Sequence, residues 1–301
     1  MLCMEEAEVE NFRQAGKIAS KVREASKSLI MVDAAYLDIA ETIEQMIREE
    51  DARPAFPVNI SVNEIAAHYT PEAGSTQTLG EKDLVKIDLG VELNGALSDT
   101  AYTIDLSEEH GDLIKASDDA LEEAIKAMKP NLTLGDLGGT IEDTIKKHGF
   151  KPISNLTGHM IKSNDLHAGV EIPNVRTDDK FFLMQGDVYA VEPFATNGEG
   201  YVADLNQVEI YSLYAPGKIR MRQSRQIVEY VLKNFGMLPF AERWIRKEYT
   251  SKVLVSAALK ELLKNQFIRA YPVLREAGGG LVSQTEHTVY ITESGVDVLT
   301  R

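Results

Sequence analysis

Two alternating runs meet at an Asn-Gly pair. Residues 83–93 read Asp-Leu-Val-Lys-Ile-Asp-Leu-Gly-Val-Glu-Leu, and residues 96–104 read Ala-Leu-Ser-Asp-Thr-Ala-Tyr-Thr-Ile, with Asn94-Gly95 between them. A two-residue hairpin turn needs positive φ at both positions, which Asn and Gly tolerate best, so this stretch is committed to an antiparallel hairpin. The turn also fixes the register. Leu93 faces Ala96, Gly90 faces Asp99, and Asp88 lies two residues from Gly90 on the same side. Asp88 and Asp99 then leave one face as diagonal neighbours roughly 7–8 Å apart at the backbone. Converging carboxylates repel unless something positive lies between them. Gly90, opposite Asp99, is expected to leave room for it, and a pair of metal ions roughly 3.5–4 Å apart is a natural occupant. The alternative is two solvated carboxylates on an exposed sheet face.

Helical spacing dominates elsewhere. It runs over residues 5–29 (Phe12, Ala15, Ile18, Ala19, Val22) and 36–47, then over 113–128 and 134–147, which Lys129-Pro130-Asn131 separates. The first 80 residues are expected to be mainly helix. Ser61-Val-Asn-Glu64 has the form of a capping box, expected to open a helical turn through Ala67 with His68 at its end. Further strands are expected over 187–194, 284–292 and 296–299, with mostly helix over 223–264. No tandem repeat or low-complexity tract interrupts the chain. The pattern predicts an α+β body, a mixed sheet with helices, carrying a helical insert before its last strands.

Composition narrows the function classes. No apolar run approaches the ~18 residues of a membrane span, and the acidic start lacks the features of a signal peptide. The single Cys3 allows no internal disulfide and fits a reducing, cytoplasmic setting. The net charge of −15 argues against whole-surface nucleic-acid binding. It is unevenly spread: residues 217–280 hold 13 Lys+Arg against 5 Asp+Glu, so the rest of the chain is strongly acidic.

Other ligand-type side chains stand in suggestive settings. His159 follows Gly158, where the backbone can approach something closely. Glu192 in Val191-Glu-Pro-Phe194 and Glu286 in Gln284-Thr-Glu-His-Thr288 lie in apolar strands, where an unpaired carboxylate is costly. Each could instead be a buried ion-pair partner. Two Asp, two Glu and one His suit two Mn, Fe, Co or Zn ions.

Seven motifs in order carry a resemblance. They are Phe56-Pro-Val-Asn-Ile-Ser61 with Ala67-His-Tyr-Thr-Pro71, Val85-Lys-Ile-Asp-Leu-Gly90, Ser98-Asp-Thr-Ala101, Asn155-Leu-Thr-Gly-His159, Leu166-His-Ala-Gly169, Val191-Glu-Pro-Phe194 and Gln284-Thr-Glu-His-Thr288. Over essentially its whole length the chain resembles the methionine aminopeptidases. The resemblance implies the pita-bread (creatinase/aminopeptidase) fold, a curved antiparallel sheet covered by helices. It implies two divalent metal ions, held by Asp88, Asp99, His159, Glu192 and Glu286, which activate a water. Asp88 would hold one ion alone, Asp99 and Glu286 would bridge, and His159 and Glu192 would complete the other. Glu192 would shuttle the proton to the leaving amine. His68 and His167 would hydrogen-bond the scissile carbonyl and position the peptide. Phe56 and Leu166 would line the methionine pocket, and Asp99 would also meet the free α-amino group. Met160, where relatives carry a small or polar residue, is a departure from the family pattern that would either narrow the metal's approach or alter activity.

The 94 positions from Glu192 to Glu286 make room for the helical, winged-helix-like insert of type II enzymes, for which Asn234-Phe-Gly236, Leu238-Pro-Phe240 and Arg243-Trp244 are the matching phrases. The division implied is a catalytic body of residues 1–216 and 281–301 with an insert over 217–280, in the archaeal form. The expected substrate is a peptide or nascent protein with N-terminal Met, cut by a cytoplasmic monomer. The insert's Lys218, Arg220, Arg222 and Arg225 are candidate contacts to ribosomal RNA phosphate. Two rival readings are a prolidase-like exopeptidase and a non-enzymatic RNA-binding protein on the same fold. Prolidase-like enzymes carry an extra N-terminal domain, and RNA-binding relatives have generally lost metal ligands. Here all five ligand positions are filled.

Overall fold

The fold was obtained as a computed structural model that describes residues 6–215 and 217–301; Cys3 lies outside them. The hairpin forms with the register its turn dictates. Strands Leu84–Leu93 and Ala96–Asp105 pair antiparallel, Leu93 opposite Ala96 and Gly90 opposite Asp99. Asn94 and Gly95 take φ of 51° and 88°, and the Glu92 carboxylate accepts the Gly95 amide at 2.8 Å.

This hairpin belongs to a nine-stranded sheet. Along the main path the order is Arg53–Pro54, Leu84–Leu93, Ala96–Asp105, Glu286–Ile291, Val188–Val191, Thr157–Ile161 and Glu171–Pro173. Asn59–Val62 adds to Leu84–Leu93, and Val296–Val298 to Glu286–Ile291. All these pairings are antiparallel.

Two helix pairs cover the sheet. Helices α1 (Glu6–Ser26) and α2 (Tyr36–Glu49) place Ala15, Ala19, Val22, Ile39, Ile43 and Ile47 on Val85, Ile87, Leu89 and Val91. Helices α3 (Gly111–Ala127) and α4 (Leu134–Lys147) place Leu113, Leu121, Leu137 and Ile141 on Met160, Tyr189, Val191 and Val289. Each such fully buried aliphatic side chain contributes about 1.5–3 kcal/mol. Strand alternation sends the odd positions of 85–91 under α1 and α2, leaving Asp88 and Gly90 for the opposite face.

Tertiary pairing overrides local pattern in two places. Residues 50–80 are not helix, and the capping box at Ser61 opens no helical turn. Ile60 and Val62 instead pair with Ile87 and Val85, as β-branched residues do on a pleated surface. Asn63 turns the chain at φ 55°. Its side chain accepts the Leu84 amide at 2.9 Å and donates to Asp83 at 3.0 Å. Ile65–Ala67 then joins another sheet. The expected long strands over 187–194 and 284–292 each split. Val188–Val191 ends before Glu192, and Pro193 has no amide to continue the ladder. Phe194–Thr196 then pairs with Val282–Gln284 and Lys151–Pro152 in a small separate sheet. Buried Lys86 pins that sheet, its Nζ donating to Val282 O at 2.8 Å and Asn63 O at 3.1 Å.

Residues 217–280 contribute α5 (Arg222–Asn234), α6 (Glu242–Glu248), α7 (Lys252–Lys264) and the strand Ile268–Glu276. Ile227, Val231, Phe240, Trp244, Leu259 and Leu262 form their core. The strand pairs on one side with Val202–Leu213 and on the other with Ile65–Ala67, which stitches the segment to the body. A second tie is polar. Glu44 of α2 is fully buried, paired with buried Arg243 and accepting Trp244 Nε1–H at 2.8 Å. Among the described residues no helix is long and apolar enough to cross a membrane.

Removing one partner of a buried ion pair strands the other charge. Glu44→Ala is therefore expected to lower unfolding free energy by about 3–5 kcal/mol. Lys247→Ala, which breaks the exposed pair with Glu41, should change it by about 1 kcal/mol or less. Urea titration of the two variants checks the contrast.

Candidate metal centre

The five ligand-type residues come from five segments. Asp88 and Asp99 are delivered by the hairpin, His159 by Thr157–Ile161, and Glu286 by the first residue of Glu286–Ile291. Glu192 sits at the break made by Pro193. All five line one cavity of about 480 Å³. Asp99, His159 and Glu286 each bring a ligand atom within 4.8 Å of the others. His159 Nε2 lies 3.5 Å from Asp99 Oδ2 and 3.9 Å from Glu192 Oε1. Gln284 Nε2 donates to Glu192 Oε2 at 3.3 Å, so the small sheet pinned by Lys86 also steadies Glu192.

The electrostatics are unfavourable for the protein alone. Burial pushes the Asp88, Glu192 and Glu286 carboxyls well above their ordinary range, and repulsion by neighbouring carboxylates adds to it. Burial takes Asp99 up to about 7 and His159 down to about 4. Asp88 Oδ1, Asp99 Oδ1, Glu286 Oε2 and His159 Nδ1 are buried with no hydrogen-bond partner. Four carboxylates and a neutral imidazole, with unpartnered oxygens converging on one cavity, fit hard-to-borderline divalent cations.

The same cavity receives the other expected residues: His68, His167, Phe56 and Leu166. His68 follows the strand Ile65–Ala67 with φ 65°, and its Nδ1 contacts the carbonyl of Pro272 at 3.2 Å. A carbonyl only accepts, so Nδ1 carries the proton, and burial keeps the ring neutral by lowering its pKa. His167 lies beside His159, ring centroids 4.5 Å apart. The non-ligand histidines stay apart: His287 turns to the opposite strand face and bonds Thr300 at 2.8 Å, and His148 pairs with Asp119.

Two expectations about space are corrected. A Cβ on Gly90 would collide with the Phe56 ring, so this glycine makes room for the apolar pocket wall and not for a cation. Met160 does not narrow the metal's approach. It alternates away from His159 and packs under α3 and α4. Sequence reasoning also assigned no role to Asn59, Gln284, Arg269 or Tyr271. The first two lie inside the quoted motifs, so their signal was present. Arg269 and Tyr271 come from the strand Ile268–Glu276, and the Tyr271 ring stands 5.6 Å from His68 and 6.2 Å from His167. No local pattern announces that placement.

A curved antiparallel sheet with a buried carboxylate–histidine cavity at its centre defines a metal-dependent hydrolase class. Residues 10–293 match the model of metallopeptidase family M24, and the chain belongs to that family. It is 45% identical to a methionine aminopeptidase of Methanocaldococcus jannaschii, over 97% of this chain and 98% of that protein. It is 45% identical to one of Pyrococcus abyssi, over 97% and 99%. Among solved structures, the methionine aminopeptidase of Thermotoga maritima superposes with TM-score 0.73 at 21% identity, over 100% of this chain and 99% of that one. A thermophilic Arx1 gives 0.86 at 18%, over 98% and 91%. The prolidase of Pyrococcus furiosus gives 0.64 at 20%, over 99% of this chain but 65% of that one. The fold is therefore the expected pita-bread fold.

Asp99 is raised in the folded state, so the metal-free fold holds a proton that the unfolded chain releases near pH 4. Its contribution is intact below that pH and is lost as pH rises through about 7. Asp99→Asn is expected to gain stability over the parent as pH climbs across this window in chelator. The difference between the two unfolding curves, which cancels the titrating groups outside this cavity, is the measurement.

Proposed function

We propose that this chain is a methionine aminopeptidase that removes N-terminal methionine from peptides and nascent proteins with two divalent ions. The observation that carries the reading is the convergence of Asp88, Asp99, His159, Glu192 and Glu286 on one cavity whose apolar wall is Phe56 and Leu166. The near-full-length identity to curated methionine aminopeptidases supports it. Asp88, Asp99, His159, Glu192 and Glu286 would hold the ions, with Asp99 and Glu286 shared between them. When bound, the pair supplies a water acidic enough to act as nucleophile near neutral pH.

The side chains do the remaining work. Phe56 and Leu166 enclose the unbranched, polarisable thioether of methionine. Asp99 meets the α-ammonium, which restricts cutting to chain ends. Glu192, whose burial raises its proton affinity, takes a proton and returns it to the leaving amine. The two histidines divide their labour. With Nδ1–H on the Pro272 carbonyl, neutral His68 presents a bare Nε2 that accepts from a substrate N–H. His167, with no such tie, donates to the scissile carbonyl oxygen as negative charge develops there. This refines the shared carbonyl role expected for both.

The segment 217–280 acts in this reading as the type II insert, closing one side of the cavity with Tyr271. Its exposed Lys218, Arg220 and Arg222 are the proposed contacts to ribosomal RNA in the cytoplasm. Arg225 is the fourth, and its Nη1 also donates to the carbonyls of Ile219 and Arg220 at 3.1 and 2.7 Å.

Stripped protein should release methionine from Met-Ala-Ser only after Co²⁺ or Mn²⁺ is added, and Asp99→Asn should abolish release. His167→Ala should lower kcat by about 10²–10³-fold with a smaller change in KM, the cost of losing one oxyanion donor. Folded, metal-loaded protein that releases nothing would overturn the reading.

A further inference from the structure

The active cavity does not end at the histidines. A second cavity of about 340 Å³ adjoins it, and Leu166, His167, Arg269 and Tyr271 line both. Beyond that shared wall it runs past Asp165, Tyr214 and Met237. Tyr214 and Met237 are exposed large side chains, 58% and 48% accessible, so the second cavity is open to arriving chain. The scissile bond lies between a methionine held on Phe56 and Leu166 and a residue beside His167. A peptide in extended form advances about 3.3–3.6 Å per residue, which carries it along the shared wall one residue after the cut.

Arg269 stands at that junction. Its guanidinium carbon sits 5.1 Å from the centre of the Tyr214 ring, which holds the side chain in place without using its in-plane donors. Among the described residues it forms no ion pair, although its strand neighbour Arg275 pairs with Glu64. The acids that line the same space, Glu171 and the four buried carboxylates in the first cavity and Asp165 in the second, all lie outside ion-pair distance of it. A planar donor fork with no carboxylate partner, at the mouth of a site built for a peptide end, suits a carboxylate on the passing chain.

We propose that Arg269 is a specificity-determining residue that reads the third residue of the substrate, favouring Asp or Glu there over Lys or Arg. This rests on the aminopeptidase reading and extends it to a subsite downstream of the cut. The setting is open to solvent, so the preference is modest and salt-dependent.

The test uses full-length, Mn²⁺-loaded protein and the peptides Met-Ala-Glu-Gly-amide, Met-Ala-Gln-Gly-amide and Met-Ala-Lys-Gly-amide. The amide ends leave the third side chain as the sole source of a downstream carboxylate. The readout is the ratio of kcat/KM for the Glu and Lys peptides within each enzyme, which is insensitive to a uniform loss of activity or of folded protein. The parent is expected to favour Glu about threefold to tenfold at low salt, with the ratio approaching one in 1 M NaCl. Arg269→Gln should bring the ratio close to one, and Arg269→Glu should invert it. If all three enzymes release methionine with the same ratio, the subsite is wrong and the aminopeptidase reading stands. If no peptide is cut by the parent, the aminopeptidase reading falls and the subsite falls with it.

Discussion

Mutual repulsion among buried carboxylates is the constraint on which the rest of this structure depends. Asp88, Asp99, Glu192 and Glu286 share one cavity; burial raises all four, and repulsion between them adds to it at Asp88, Glu192 and Glu286. A fold could relieve this by turning the acids outward. This one holds them inward with a rigid hairpin register, a proline-enforced strand break and a lysine that fastens the adjoining small sheet. Stability is given up locally, and a set of side chains suited to divalent cations is held already assembled. The surrounding helix pairs, with their dense aliphatic contacts to the sheet, supply the stability that is given up at the centre.

The segment 217–280 does more than lengthen the chain. Its strand Ile268–Glu276 brings Arg269 and Tyr271 to the rim and gives His68 the Pro272 carbonyl that fixes its tautomer. The site is thus bounded on one side by the nine-stranded sheet and on the other by this segment. The seam between them is held by main-chain pairing to Ile65–Ala67 and by the Glu44–Arg243–Trp244 cluster. Those contacts lie away from the chemistry, yet they set the distance between the two cavity walls.

Much of this was legible beforehand where the controlling interactions are local. The pairing of Gly90 with Asp99 followed from Asn94-Gly95, because a two-residue turn leaves a single register. Helix α4 begins at Leu134, as its periodicity indicates, and the structure adds a cap there, Thr133 Oγ1 accepting the Asp136 amide at 3.2 Å. The failures share one cause. At Ser61 a good local cap lost to strand pairing by Ile60 and Val62. At Gly90 an empty position read as room for a cation is filled by Phe56 from 34 residues away in the chain. At Met160 a residue suspected of crowding the site packs under α3 and α4. In each case the deciding partner is distant in sequence, and no short-range pattern encodes it.

The sequence by itself determined the donor set and the hairpin geometry that makes two of the donors converge, since side-chain chemistry and a two-residue turn are local properties. Tertiary structure alone decided that five segments deliver those donors to one cavity. It also decided that the Pro272 carbonyl meets His68 Nδ1, and that Arg269, without an ion pair among the described residues, stands where the two cavities meet. These depend on which backbone carbonyls, rings and carboxylates lie within a few ångströms after folding, and chain order places no bound on that.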